Sequence, residues 1–213
     1  MSKTETASSK AQNEALENSS AAVQVLKGGG VIVFSTETLY GLGADALNDA
    51  AVEKVFQLKG RDPSNPIPVL VANQEMLHTL VAKVPTVARK LMDRYWPGPL
   101  TLVLPGQKNI PKPLCNTAGG VGVRISSQPI ATLLVNGLGR PLTATSANPS
   151  GKEPARTLQE AKNYFAHRVD VFVDGGTLTS KSGSTVVEVM ENSIKIIREG
   201  EISADELQRL LGS

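Results

Sequence analysis

Short apolar runs alternate with amphipathic helical patterns along most of this chain, and that order constrains the fold more than any other feature. The run 31–34 is apolar throughout, as in a strand that is buried on both faces. Further along, the runs 184–190 and 194–198 are separated by the turn-forming residues 191–193, which predicts a β-hairpin. We therefore expect an α/β fold with a twisted, mixed β-sheet flanked by helices.

The first 14 residues differ in composition from the rest of the chain. They are rich in Ser, Thr, Lys, Asn and Gln, a composition that cannot bury enough apolar surface to fold. We predict a disordered tail over 1–14 and one domain over 15–213, with its first helix at about 14–27. The segment 35–45 is polar and glycine-bearing, which predicts a loop or tight turn. Further strands are predicted at 68–72, 100–104, 121–125, 142–145 and 169–173.

Composition excludes several classes of protein. The 22 basic and 20 acidic residues nearly balance, so charge alone does not indicate a nucleic-acid partner. Cys115 is the only cysteine, so no disulfide can form within the chain, which suits a reducing cytoplasm. His78 and His167 are isolated, which argues against a zinc site. No apolar run approaches the roughly 18 residues of a membrane helix, and no signal peptide is recognisable, so we expect a cytoplasmic protein.

A pair of cations flanks a predicted helix end. A helix that is capped by Asn48 and stopped by Gly60 would place Lys59 in its last turn and Arg61 just beyond it. Two cations at a helix C-terminus complement the helix dipole. They can also form a phosphate clamp, with Lys as a point charge and Arg as a planar fork. Three prolines stiffen the segment that follows, which favours a fixed site.

Arg124 lies inside the apolar strand pattern 119–125, Gly-Gly-Val-Gly-Val-Arg-Ile. A guanidinium that is buried in such a strand needs a partner of opposite charge. That partner is either another side chain, in a structural ion pair, or the carboxylate or phosphate of a ligand. The sequence favours neither over the other.

Ser146 and Asn148 follow the predicted strand 142–145 where it breaks into a polar loop. Open α/β sheets bind ligands at such strand ends, and two residues in i, i+2 spacing share one face of an extended segment. A hydroxyl and an amide could therefore bind one polar ligand, although the same residues also form turns that bond only their own backbone. Ser184 at a strand start and Arg198 at a strand end have equally ordinary explanations, as a turn and a solvated charge.

Common motifs for catalysis and cofactor binding are misplaced or absent. The segment 41–46 fits the pattern GxGxxA, but residues 36–40 separate it from the preceding strand, so we reject a dinucleotide-binding turn. The two glycines instead predict that the backbone turns sharply and approaches another group closely. The chain has no GxxxxGK[ST], GxSxG or SxxK motif and no plausible Cys/His pair, which argues against a Walker-type NTPase and against nucleophilic catalysis by the protein.

Seven stretches between about Val23 and Glu201 together resemble the Sua5/YciO/YrdC family. In order they are KGGGVIVFSTETLYGLGADA, KGRDPSNPIPVLV, WPGPLTLVLP, GGVGVRI, PLTATSANPSG, GSTVVEV and IIREG. The resemblance implies a single YrdC-like domain, in the short form that lacks the extra C-terminal domain of longer Sua5 proteins.

The resemblance also implies an activity, that of an L-threonylcarbamoyladenylate synthase. Such a nucleotidyltransferase converts L-threonine, bicarbonate and ATP into threonylcarbamoyl-AMP, pyrophosphate and water, for the t6A modification of tRNA. ATP would be a substrate carrying Mg²⁺ on its phosphates, with no metal held by protein side chains. The product would pass to a Kae1/TsaD-type threonylcarbamoyltransferase complex, and the enzyme itself could bind tRNA weakly.

By resemblance, each candidate site residue acquires an expected role. The catalytic quartet of the family falls on Lys59, Arg61, Ser146 and Asn148. ATP is expected at Arg61, Asn65, Ser146 and Arg198. Threonine is expected at Thr38, Arg124 and Ser184. The chain departs from some members at Leu70, where they carry a histidine near the threonine pocket, which would remove one contact.

Two alternatives to the synthase remain open. The first is an RNA-binding module of the same fold, although its candidate stacking residues are few and dispersed: Tyr40, Tyr95, Trp96 and Tyr164. The second is a relative that acts on another carbamoyl or adenylate substrate.

Overall fold

The computed structural model describes residues 18–180 and 182–212. The tail predicted over 1–14 and the start of the helix predicted over 14–27 lie outside the described residues. Helix α1 is present over 18–27, and Gly29, with a φ of 77°, takes the chain out of it toward the first strand. Within the described residues, no helix combines the length and apolar composition needed to cross a lipid bilayer.

Seven helices and ten strands make up the described part of the chain. The helices after α1 are α2 (Asp49–Lys59), α3 (Gln74–Leu80), α4 (Thr86–Tyr95), α5 (Pro129–Leu138), α6 (Leu158–Phe165) and α7 (Ala204–Gly212). Short 3-10 helices occur at Lys112–Leu114 and Ala166–Arg168. The strands are β1 (Ile32–Ser35), β2 (Tyr40–Gly43), β3 (Val69–Leu70), β4 (Leu100–Pro105), β5 (Gly120–Arg124), β6 (Leu142–Thr143), β7 (Thr145–Ser146), β8 (Val171–Phe172), β9 (Thr185–Val189) and β10 (Ile194–Arg198).

The predicted α/β class with mixed strand pairing is confirmed, but the strands form two sheets. One has the order β7-β2-β1-β8 and the other β10-β9-β4-β5-β3-β6. In the first sheet β1 is antiparallel to β2 and parallel to β8. In the second, β4 is antiparallel to β5 and parallel to β9, and β9 and β10 form the predicted hairpin. Both sheets are therefore mixed.

The division between the sheets occurs within the strand predicted over 142–145. Its first half, β6, pairs with β3, whereas its second half, β7, pairs with β2 of the other sheet. Between them, the Ala144 amide donates to the Pro68 carbonyl at 2.9 Å. The chain therefore passes from one sheet to the other at Ala144, which places Ser146 on the border between them.

The prediction of a loop over 35–45 is wrong in part, because β2 lies within it. Glycines disfavour strands, but here the ring of Phe34 packs over them. A Cβ on Gly43 would lie 2.8 Å from Phe34 Cε1, and one on Gly41 would lie 3.4 Å from the same atom. The predicted sharp turn at these glycines is wrong, because both lie in β2. The predicted close backbone approach is confirmed, and the partner is an aromatic ring of the neighbouring strand.

Strand β1 is buried on both faces, as its apolar sequence predicts. Val31 and Val33 belong to one apolar cluster, which includes the buried stripe of α2. Ile32 and Phe34 face the other cluster, which is formed with α1 and α5. The end of β1, where the segment 35–39 begins, is therefore packed against an apolar cluster on each face.

Candidate active site

A cleft of about 100 Å³ lies where segments from both sheets meet. Six of the residues that the sequence marks as a candidate site line it: Thr38, Arg61, Arg124, Ser146, Ser184 and Arg198. Each comes from a different segment of the chain, so only the folded chain brings them together. Lys59, Asn65 and Asn148 lie outside this lining, and each contacts a segment that supplies part of it.

Arg61 reaches the cleft from the segment that follows α2. Gly60 ends that helix in the left-handed conformation, at φ 57° and ψ 39°, as predicted. The guanidinium of Arg61 donates through Nε to the Asn65 carbonyl at 2.8 Å and through Nη2 to the Pro66 carbonyl at 3.3 Å. Asn65 itself is exposed, so its contact with the site is made through its backbone.

Lys59 is almost completely buried, with 3% of its surface exposed. Its Nζ donates to the carbonyls of Ser146 at 2.6 Å and Asn148 at 2.8 Å. The Ser150 amide donates in return to the Lys59 carbonyl at 2.7 Å. Burial, followed by the charge of Arg61, lowers the pKa of Lys59 to about 7. The amine is therefore directed at the loop after β7, and the end of α2 and this loop are fastened together.

Ser146 and Asn148 lie in different surroundings. Ser146 is half-buried and lines the cleft. The Asn148 side chain is buried and donates to the carbonyls of Pro149 at 3.0 Å and Lys152 at 2.6 Å. Asn148 therefore fixes its own loop, which matches the turn interpretation, and only Ser146 faces the space where a ligand would lie.

Arg124 forms a structural ion pair and also lines the cleft, so both of the roles that the sequence left open apply to it. Its Nη1 donates to Glu37 Oε1 at 3.0 Å, in an ion pair whose arginine side chain is 6% exposed. The same arginine lines the cleft. Ser126 Oγ donates to Glu37 Oε2, so the carboxylate is held at both oxygens. Sequence reasoning missed Glu37, because its partners lie 87 and 89 residues away and no local signal connects them.

Hydroxyl groups complete the cleft wall. Thr38 Oγ1 lies 3.0 Å from Thr36 Oγ1 and 3.5 Å from Arg124 Nη1. On the opposite sheet, Arg198 Nη2 donates to the Ser184 carbonyl at 2.7 Å and to Ser184 Oγ at 3.2 Å. Ser184 Oγ also lies 3.0 Å from Thr101 Oγ1. These hydroxyls can both donate to and accept from a polar ligand.

Leu70 pairs in register with Arg124 across β3 and β5. Its side chain is 1% exposed and packs in the apolar cluster of α1 and α5. This position therefore contributes no polar group to the cleft.

The three guanidinium groups give the cleft a positive potential. Burial lowers the pKa of Arg61 and of Arg124, and the Glu37 carboxylate opposes that effect at Arg124. Burial also lowers the pKa of Arg198, and the charges of Arg124 and Arg61 lower it further, because the three cations repel one another. Arginine side chains keep their proton in proteins, so the three groups act as cations. The cleft is therefore suited to anions.

The cleft offers charged groups and hydrogen bonds, but the described residues bring no cluster of metal-binding side chains to it. Over 18–180 and 182–212, no three His, Cys, Asp or Glu side chains are grouped as metal ligands. The arrangement can bind and orient anionic reactants and can stabilise charge that develops between them.

Known proteins are similar to this chain in sequence. The Sua5_yciO_yrdC family model, described as "Telomere recombination", matches residues 24–200. The chain is 35% identical over 187 residues to the threonylcarbamoyl-AMP synthase of Pyrococcus abyssi, an alignment that covers 88% of this chain and 55% of that protein. It is 36% identical over 193 residues to the threonylcarbamoyl-AMP synthase of Bacillus subtilis, covering 90% of this chain and 56% of that protein.

A solved structure shares the fold. The crystal structure of P. abyssi Sua5 in complex with L-threonine matches with a TM-score of 0.86 and 35% identity, over 91% of this chain and 57% of that one. The chain thus spans little more than half the length of these relatives.

Proposed function

The chain belongs to the Sua5/YciO/YrdC family, and on that basis we propose that it is an L-threonylcarbamoyladenylate synthase. The observation that carries the proposal is the convergence of six predicted residues on one cleft, with three guanidinium groups among them. The L-threonine bound in the related P. abyssi structure supports threonine as a substrate.

The chemistry of the reaction explains why such a cleft is needed. The amine of threonine and CO2 form a carbamate, and a carbamate oxygen then attacks the α-phosphorus of ATP. A new P–O bond forms, the bond to the β-phosphate oxygen breaks, and pyrophosphate leaves with the electron pair. Two anions approach each other in this step, so fixed cations are needed to offset their repulsion. A protein that positions and neutralises the reactants needs no covalent intermediate.

The lining residues divide naturally between the two substrates. In our proposal Arg61, Ser146 and Arg198 contact the nucleotide, and Thr38, Arg124 and Ser184 contact threonine. Lys59 and Asn148 act on the reaction by holding the loop that carries Ser146, because their polar atoms are used within that loop. Asn65 contributes through its carbonyl, which orients Arg61.

The finer parts of the proposal follow from the reaction. Transfer of an adenylyl group makes the enzyme a nucleotidyltransferase, and Mg²⁺ would enter on the ATP phosphates. The product would serve the t6A modification of tRNA, through a Kae1/TsaD-type transferase complex in the cytoplasm. We further propose that 15–213 forms one domain and 1–14 a tail.

The test is an assay of pyrophosphate release from ATP by the purified protein, with L-threonine and bicarbonate omitted in turn. We expect release to require both, because only the carbamate is the nucleophile. Arg61→Ala should abolish most of it, whereas Arg209→Ala is the matched control, since Arg209 is exposed on α7 and lies outside the cleft lining.

Two outcomes would refute the proposal. One is ATP cleavage at the full rate without threonine. The other is salt-dependent RNA binding with no ATP turnover, which would indicate the RNA-binding module instead.

A further inference from the structure

The three arginines of the cleft differ in how their charge is balanced. Within residues 18–180 and 182–212, Arg124 has a carboxylate partner, Glu37, whereas Arg61 and Arg198 donate to backbone carbonyls and to the Ser184 hydroxyl. A carbonyl orients a guanidinium without cancelling its net charge. The cleft therefore has one neutralised cation and two whose charge is free to act on a ligand.

Glu37 pairs with Arg124 and is not among the residues that line the cleft. Its Oε1 accepts from Arg124 Nη1 at 3.0 Å, and its Oε2 accepts from Ser126 Oγ. The carboxylate side chain is 16% exposed, so water screens the pair only weakly. A fixed negative charge is thus held in contact with the cation that a ligand would meet.

We infer that Glu37 is a specificity-determining residue, which makes the Arg124 end of the cleft accept a monoanionic carboxylate and reject a polyphosphate. An ATP or pyrophosphate anion carries several negative charges, so its binding gains most from cations with no counter-charge. At Arg124 the repulsion from Glu37 offsets that gain, while the planar guanidinium still offers hydrogen bonds to one carboxylate. Specificity of this kind comes from a repulsive element as well as an attractive one.

This role deepens the proposed function and rests on it for the identity of the carboxylate. A synthase whose three arginines all lacked a counter-charge could bind its nucleotide in two orientations. In one of them, phosphate would occupy the amino-acid site. Charge balance at Arg124 leaves Arg61 and Arg198 as the pair that attracts phosphates. It thereby sets which end of the cleft each substrate occupies.

Glu37→Gln is the informative variant because it removes the charge and keeps the shape. The amide oxygen can still accept from Arg124, and the amide nitrogen can donate to Ser126 Oγ. Ser126→Ala is the complementary variant, which loosens the contact but keeps the charge. Glu191→Gln is the matched control, because Glu191 forms an exposed ion pair with Lys83 outside the cleft lining.

The experiment is calorimetric titration of the full chain with inorganic pyrophosphate and with L-threonine, each alone and each in the presence of the other. For Glu37→Gln we expect pyrophosphate to bind about tenfold more tightly than to the wild type and to compete with L-threonine. In the wild type, Ser126→Ala and Glu191→Gln, pyrophosphate affinity should agree within about twofold and the two ligands should bind together. Unchanged pyrophosphate affinity in Glu37→Gln, or equal tightening in Ser126→Ala, overturns the inference.

The two titrations separate the inference from the proposed function, because neither titration requires the enzyme to turn over. A wild type that does not bind L-threonine refutes the substrate, while the change in pyrophosphate affinity still tests Glu37. If Glu37→Gln does not fold, the double variant Glu37→Gln/Arg124→Gln replaces it, since it removes both charges of the pair. We then expect wild-type pyrophosphate affinity, and a loss of more than about fivefold overturns the inference.

Discussion

Tyr40→Phe tests how the cleft wall is held, because the Tyr40 hydroxyl joins β2 to the segment after β8. The side chain is fully buried. Its hydroxyl lies 2.9 Å from Asp174 Oδ1 and 2.7 Å from the Gly176 carbonyl, and it accepts from the Gly175 amide at 3.0 Å. Phenylalanine keeps the ring and loses all three contacts.

The magnitude follows from the groups that would be left without a partner. A hydrogen bond that involves a charged carboxylate contributes about 1.5–3 kcal/mol, and a buried amide left unpaired costs about 1–3 kcal/mol. Because Asp174 is exposed and water can replace its bond, the half-buried Gly175 amide should dominate. We expect Tyr40→Phe to lower the free energy of unfolding by about 2 kcal/mol.

The effect should also depend on pH in a defined direction. Burial and the bonds to Asp174 raise the pKa of Tyr40 to about 12, against an ordinary value of 10.0. A group whose pKa is raised by folding contributes stability that is complete below its unfolded pKa and is lost as the pH rises through the folded one. The difference between wild type and Tyr40→Phe should therefore stay constant up to about pH 10 and shrink above it.

The assay is urea denaturation followed by circular dichroism, from pH 7 upward. Tyr164→Phe is the matched control, since the Tyr164 hydroxyl makes no hydrogen bond within 18–180 and 182–212. A Tyr40→Phe variant that unfolds within about 0.5 kcal/mol of wild type would show that these contacts do not hold the wall, and the reasoning would be refuted.

Four further predictions concern the proposed reaction. Arg61→Ala should lower kcat about a hundredfold with an unchanged melting temperature, and normal kcat would mean that Arg61 only complements the helix dipole. Lys59→Ala should lower both kcat and the melting temperature, because its Nζ holds the carbonyls of Ser146 and Asn148, and an unchanged melting temperature would show that these bonds do not hold the loop. Arg124→Lys should raise the KM for threonine more than that for ATP, since a point charge cannot replace a fork, and equal effects would make the residue structural. Deletion of 2–13 should leave activity and melting temperature nearly unchanged, and a large loss of stability would show that this segment packs on the domain.

Local sequence signals predicted those features whose causes are local. Asn48 caps α2 by accepting from the Ala51 amide at 3.2 Å, and Gly60 ends that helix, as their residue types indicate. These two signals fix where Arg61 emerges, which is why its place in the site could be predicted. The family resemblance marked further residues that no local pattern connects; the structure brings six of the marked residues to one cleft, and their roles stay predictions.

The features that sequence could not provide depend on distant partners. In strand β2, the Phe34 ring covers the two glycines, and residue propensities do not take such a tertiary contact into account. The split of 142–145 depends on β2 and β3, which compete for adjacent residues from two sheets. The position of Glu37 depends on Arg124, 87 residues away. Each of these is a property of the assembled chain.

The path of the chain between the sheets has a consequence for folding. Strands β1 and β2 belong to the four-stranded sheet, β3 to β6 to the other, β7 and β8 to the first again, and β9 and β10 to the second. Neither sheet is a continuous stretch of chain, and a chain that stops before β10 lacks Arg198 and so cannot complete the cleft. Pairing strands that are far apart in sequence is slow, because the entropy of closing a long loop is lost before the stabilising contacts between the strands form. The cleft should therefore bind its ligand only after the last step of folding. A nascent chain that still lacks β10 would not bind it.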